Sequence, residues 1–133
     1  MAKITDIEGV GEYAKKLKDA GISGVESLLK EGASSAGRKA IAEKTGISHT
    51  LLLRWVNHAD LFRVKGIGGE YAGLLEASGV DSVPELAQRK AVNLYQKIID
   101  VNQTKKLVRK LPVQSQVANW IEQAKTLTKI VTY

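Results

Sequence analysis

Two stretches of this chain are copies of one another. Set beneath each other, "IEGVGEYAKKLKDAGISGVESLLKEGA" (Ile7 to Ala33) and "VKGIGGEYAGLLEASGVDSVPELAQRKA" (Val64 to Ala91) align Tyr13 with Tyr71, Gly21 with Gly79, Val25 with Val83 and Leu28 with Leu86, each pair 58 residues apart. Further on, "LLLRWVNHADL" (Leu51 to Leu61) aligns with "QVANWIEQAKTL" (Gln116 to Leu127) around Trp55 and Trp120, now 65 apart, so seven extra residues enter the second copy. A duplicated supersecondary unit restricts the fold to architectures that use one order of elements twice. The expected division is a first unit over residues 1–61 and a second over residues 62–133, packed as one compact domain through the tryptophan-bearing helices or joined end to end.

Each copy reads as a glycine turn, a helix, a Gly-containing break, a short helix, a medium helix and a longer helix carrying the tryptophan. Only 5% of the 133 residues are aromatic and only two are proline, against 44% apolar, a balance that favours helices over a sheet sandwich. The fold class expected is all-α, a tandem repeat of about eight to ten short helices.

Local signals mark where the helices stop. Gly21 follows "KKLKDA" and Gly79 follows "GLLEAS", positions where a left-handed C-terminal cap ends a helix at little cost. In "GVDSVPELA" either Asp81 or Ser82 can cap, and Pro84 suits the first helical turn. Gly46 stops another helix, and Ser48 is the expected cap of the next. Leu52, Trp55, Val56 and Ala59 fall at i, i+3, i+4 and i+7, and Val117, Trp120, Ile121 and Ala124 repeat that spacing, so both tryptophans are read as core residues on one apolar face. Tyr13 and Tyr71, in the first turn after the glycines, are read as packing residues rather than catalysts.

The run Val64-Lys65-Gly66-Ile67-Gly68, followed by a helix with Ala72 and Leu75 facing inward, resembles the hairpin of helix-hairpin-helix domains. The resemblance implies that Ile67 anchors the turn and that the free N–H groups of Gly68, Gly69 and Glu70 open the next helix. In DNA-binding members of that superfamily such groups, with the positive end of the helix dipole, hold a backbone phosphate. From Ile7 to Tyr133 nearly the whole chain is similar to a bacterial family known as domain of unknown function number 4332, in which two such units lie in tandem. "IEGVG", "LAQRK"-like joints, "KTGIS", "RWVNHADLFRVKGIGGEYA", "KKLVRKLP" and "WIEQAK" carry the match. That resemblance implies a fold and brings no established activity.

The two turns differ. The first copy runs Gly11-Glu12-Tyr13, where the second has Gly68-Gly69-Glu70-Tyr71. Losing one residue rotates a following helix by about 100°, so the first turn is expected to differ in conformation or in function. Glu8 and Glu12 flank Gly9 to Gly11, where a phosphate would want cations, and that turn is read as structural. Arg63 and Lys65 precede Gly66, Gly68 and Gly69, a setting better suited to an anion, although Glu70 sits in the first helical turn.

Charge is unevenly placed as well. The net charge of +6 divides into nine Lys/Arg against eight Asp/Glu in residues 1–61, and eleven against six in residues 62–133. Much of the second half's excess lies in "QTKKLVRKLP", where, if the segment is helical, Lys106 and Lys110 share a face with Arg109 beside them and Lys105 adjacent. The plain reading is a solvated helix surface. The sharper one is a clamp on nucleic-acid backbone phosphates with no base readout.

Catalysis has little support. Cysteine is absent, which removes disulfides, thiolate metal sites and cysteine nucleophiles together. His49 and His58 lie nine positions apart on one expected helix, which sets them on opposite faces and rules out a shared metal. No Walker lysine motif follows the glycines, and the acids show no spacing for a carboxylate pair. With no apolar run fit for a signal peptide or a membrane span, the expectation is a non-enzymatic cytoplasmic protein without cofactors. It would bind DNA, ahead of RNA, through Arg63, Lys65, Gly66, Gly68 and Gly69 assisted by Lys105, Lys106, Arg109 and Lys110. The alternative is an adaptor whose hairpins are scaffold for a protein partner.

Overall fold

The computed structural model describes residues 3–133. Among them are eight α-helices, two short 3₁₀ helices and no strand, so the chain is all-α. The α-helices are α1 (Ala14–Asp19), α2 (Val25–Gly32), α3 (Ser35–Thr45), α4 (His49–Leu61), α5 (Gly69–Ala77), α6 (Val83–Ala87), α7 (Ala91–Lys105) and α8 (Gln114–Thr126). The 3₁₀ helices span Ile4–Asp6 and Gly11–Tyr13. Among the described residues no helix is long and apolar enough to cross a membrane.

Two compact units emerge. One takes the chain up to Asp60 together with Lys129–Tyr133, and the other is Leu61–Thr128. The first unit is therefore discontinuous. A division drawn from the repeat alone places the last five residues with the second copy, whereas they pack with the first: the Thr132 N–H donates to the Ala33 carbonyl at 2.7 Å, and Val131 is buried.

The same sequence devices build both units. Helix α1 ends in a double bond of the Schellman type, Gly21 N–H to the Lys18 carbonyl and Ile22 N–H to the Leu17 carbonyl. Helix α5 ends identically, through Gly79 to Glu76 and Val80 to Leu75. Both glycines have positive φ, 90° and 94°. Ser82 caps α6 by accepting from the Glu85 N–H, Ser48 accepts from the Leu51 N–H at the start of α4, and Gly46 closes α3 at φ 74°. The repeated apolar face is core in both copies: Leu52, Trp55, Val56 and Ala59 on α4, and Val117, Trp120, Ile121 and Ala124 on α8, are all buried.

Each tryptophan meets the tyrosine that follows its own unit's glycine turn. Tyr13 and Trp55 have ring centroids 5.3 Å apart at 51°, and Tyr71 and Trp120 have theirs 5.3 Å apart at 49°. The missing residue in the first turn does not disturb this geometry. Where the second unit holds Gly68 extended (φ −107°, ψ −168°) before α5, the first keeps Val10 helical and winds Gly11–Tyr13 as 3₁₀. A 3₁₀ turn advances about 120° and 2 Å per residue against about 100° and 1.5 Å for an α-helix, and the tighter winding accompanies the shorter route. The first turn does differ in conformation, and its tyrosine still reaches its tryptophan.

Candidate functional site

The turn before α5 is held from below and left open above. Val64 and Ile67 are buried, and the Ile67 N–H donates to the Val64 carbonyl. Gly66 has φ 100°, and a Cβ there would stand 2.8 Å from the Trp120 indole nitrogen, so backbone passes close against the N–H edge of the ring. Gln123 of α8 grips the neighbouring peptide from both sides: its Oε1 accepts from the Lys65 N–H at 2.8 Å, and its Nε2 donates to the Lys65 carbonyl at 3.1 Å. That leaves the Lys65 ammonium exposed on a fixed backbone.

Beyond Ile67, the first intrahelical bond of α5 is Ala72 N–H to the Gly68 carbonyl. The N–H groups of Gly68, Gly69 and Glu70 precede it and find no acceptor among the described residues. No side chain caps them, as the Gly68 position offers none. Glu70 lies exposed in this first turn, where its carboxylate complements the helix dipole.

Arg63 serves the frame. Its Nη1 and Nη2 both donate to the Thr128 carbonyl, at 3.0 and 2.7 Å, which ties the start of the second unit to its end.

The basic segment is not helical beyond Lys105. Lys106 caps α7 in the left-handed region at φ 50°, ψ 48°, its N–H donating to the Asn102 carbonyl, and α8 begins only at Gln114. The shared helical face expected for Lys106 and Lys110 is thus replaced by an eight-residue connection. Asn102 explains why. Its side-chain amide donates to the Val108 carbonyl and accepts from the Val108 N–H, at 3.1 and 3.0 Å, folding the chain back on the helix end while Val108 is buried. Pro112 is buried farther along, and the Gln116 side chain accepts from the Val113 N–H to open α8. Lys105, Lys106, Arg109 and Lys110 all remain exposed.

One bond joins this loop to the glycine turn. The Tyr71 hydroxyl, in the first turn of α5, donates to the Lys110 carbonyl at 2.9 Å. The cationic loop and the open amides are therefore anchored to a single helix start. Sequence reading took Tyr71 only for packing, and it passed over Asn102 and Gln123. The repeat hides their roles, because the loop that Tyr71 and Asn102 hold exists in one copy alone.

In the first unit the corresponding turn is electrostatically reversed. Glu8 stands where the second unit has Lys65, with Arg54 of α4 at 4.0 Å, and the Tyr13 N–H is used by the Val10 carbonyl inside the 3₁₀ turn. Of the two histidines, His49 is exposed and His58 buried, on opposite faces of α4. Among the described residues no cluster of three His, Cys, Asp or Glu could hold a metal ion.

The duplicated turns and paired tryptophans extend over nearly the whole chain, and so does a match to a known family: the model of "Domain of unknown function (DUF4332)" covers residues 8–127. The chain belongs to the DUF4332 family. No curated protein and no solved structure matches it. For this DUF4332 chain the functional reading therefore comes from the site itself.

Proposed function

We propose that this DUF4332 protein is a non-enzymatic binder of nucleic-acid backbone, taking duplex DNA ahead of RNA without reading its sequence. The helix-hairpin-helix character of the second turn is part of that proposal. A phosphate seats on the N–H groups of Gly68, Gly69 and Glu70, with the α5 dipole behind it and the Lys65 ammonium beside it. Lys105, Lys106, Arg109 and Lys110 neutralise neighbouring phosphates. Gly66 contributes by letting the backbone pass close to the indole edge of Trp120, and Arg63 by fixing the turn to the Thr128 carbonyl beyond α8. The aromatic rings beside the turn are packed on each other and Trp120 is buried, an arrangement that suits phosphate contact better than stacking on unpaired bases.

The observation that carries this reading is the Tyr71–Lys110 hydrogen bond, which holds the cationic loop against the helix whose amides are open. Contacts of this kind give affinities of roughly 10⁻⁴ to 10⁻⁶ M with a steep salt dependence. The test is a titration of labelled duplex DNA at two salt concentrations, with wild type and with the triple variant Lys65→Glu, Lys106→Glu, Arg109→Glu. Binding at low salt that falls at high salt and vanishes in the variant is expected. Salt-insensitive binding, or none at low salt, refutes it.

A further inference from the structure

The first unit contains a buried cation without a counter-ion. Arg38, on α3, is only 1% exposed, yet no acidic side chain among the described residues forms an ion pair with it. Its Nη1 donates to the carbonyls of Gly32 and Ala33 at 2.9 and 3.1 Å, and its Nη2 to the Thr132 carbonyl at 2.7 Å. Its Nε is buried and has no hydrogen-bond partner among the described residues. Buried guanidinium groups are ordinarily matched by carboxylates that take two parallel bonds, and a buried donor left unanswered calls for a reason.

One partner of Arg38 lies far along the chain. Residues 129–133 form no helix and reach the first unit only after the chain has made the second. They are fastened by the Thr132 N–H to the Ala33 carbonyl, by the buried side chain of Val131 and by the Tyr133 hydroxyl to Asn57 Oδ1 at 2.8 Å, while Lys129 and Ile130 are exposed. A short segment with one buried aliphatic side chain, outside any helix, belongs to the parts of a protein that open first. Once it opens, the groove offers a guanidinium edge of Nε and Nη2, a carbonyl acceptor at Ala33, a slot for a β-branched side chain and an amide at Asn57.

We propose that this groove is a recognition site for an extended acidic peptide of a partner protein, masked in the free chain by residues 131–133. The neutral Thr132 carbonyl engages Nη2 alone. A carboxylate in its place grips Nε and Nη2 together and supplies the missing negative charge, so an Asp or Glu flanked by a β-branched residue outcompetes the resident segment. The site lies wholly in the first unit and does not depend on the nucleic-acid reading.

The experiment uses the full chain and two capped peptides spanning residues 129–133, one carrying Thr132→Glu and the other Thr132→Gln, followed by NMR of the Arg38 Nε–H and of the Val131 and Thr132 amides. The Glu peptide is expected to move the Arg38 resonance downfield and speed hydrogen exchange at Val131 and Thr132, with the Gln peptide binding about tenfold more weakly or worse. Tyr133→Phe, which removes the bond to Asn57 and leaves Arg38 intact, raises affinity for the Glu peptide several-fold. Equal affinity of the two peptides overturns the proposal, as does an unmoved Arg38 resonance in the Tyr133→Phe protein. If acetate alone reproduces the shift at the same concentration, the site takes free carboxylates and peptide recognition is overturned.

Discussion

The two glycine turns are built on one plan and differ in charge and in their open amides. Beneath each lies a tryptophan packed at a tilt against the tyrosine that follows the turn, at the same separation. Above, the second turn sets Lys65 on backbone gripped by a neutral glutamine, and the first sets Glu8 against Arg54. The second enters its helix through extended Gly68 and leaves three amides open; the first enters through a 3₁₀ turn that uses its Tyr13 amide internally. What the pair teaches is that the aromatic clasp belongs to the fold, while charge and open amides, which vary freely above it, decide what the turn can hold.

Exchanging residues at matched positions tests that separation. The largest effect is expected from Gly66→Ala. Positive φ and a Cβ 2.8 Å from the buried indole combine there, so the loss should be roughly 2–4 kcal/mol in denaturant unfolding. At Gly9 the corresponding Cβ meets Trp55 at an ordinary 3.5 Å, and Gly9→Ala should show the φ strain alone, about 1–2 kcal/mol. Equal losses would mean that the indole crowds Gly66 no more than it crowds Gly9.

Tyr71→Phe should come next. It removes the bond to Lys110 and keeps the tilted ring contact, costing about 0.5–1.5 kcal/mol of stability and lowering DNA affinity several-fold, whereas Tyr13→Phe leaves DNA affinity unchanged. Matching DNA affinities for the two variants would separate the loop from the binding site. Lys106→Gly places in the second copy the residue that Gly46 supplies in the first at the same left-handed cap. Unfolding experiments should find it neutral or up to about 1 kcal/mol more stable, while the salt slope of DNA binding falls by about one contact. Smallest is Glu70→Gln, which should tighten DNA binding by about 0.3–1 kcal/mol as repulsion at the helix start is relieved.

Legibility in the sequence followed the range of the interactions. Gly21, Gly79, Gly46 and Ser48 announce themselves because a cap is decided within a few residues, and the tryptophan faces because their period is local. The end of α7 is hidden because no glycine or proline stands between Lys105 and Leu111, and the chain turns at Lys106 while the Asn102 side chain holds Val108, six residues on. Arg63 looked like a phosphate ligand. Its carbonyl partner lies 65 residues away, where no pattern in the chain could point. The cation at Arg38 passed unnoticed for the same reason, since only the fold brings Thr132 to it.

That the first unit is sewn up by residues 129–133 sets an order of events during synthesis. Its four helices leave the ribosome early, but the segment that covers Arg38 follows the whole of Leu61–Thr128, a delay of roughly 3–14 seconds at ordinary elongation rates of about 5–20 residues per second. For that interval the nascent first unit holds Arg38 by the Gly32 and Ala33 carbonyls and waits for the Thr132 carbonyl that completes its partners, while the second unit is contiguous in the chain.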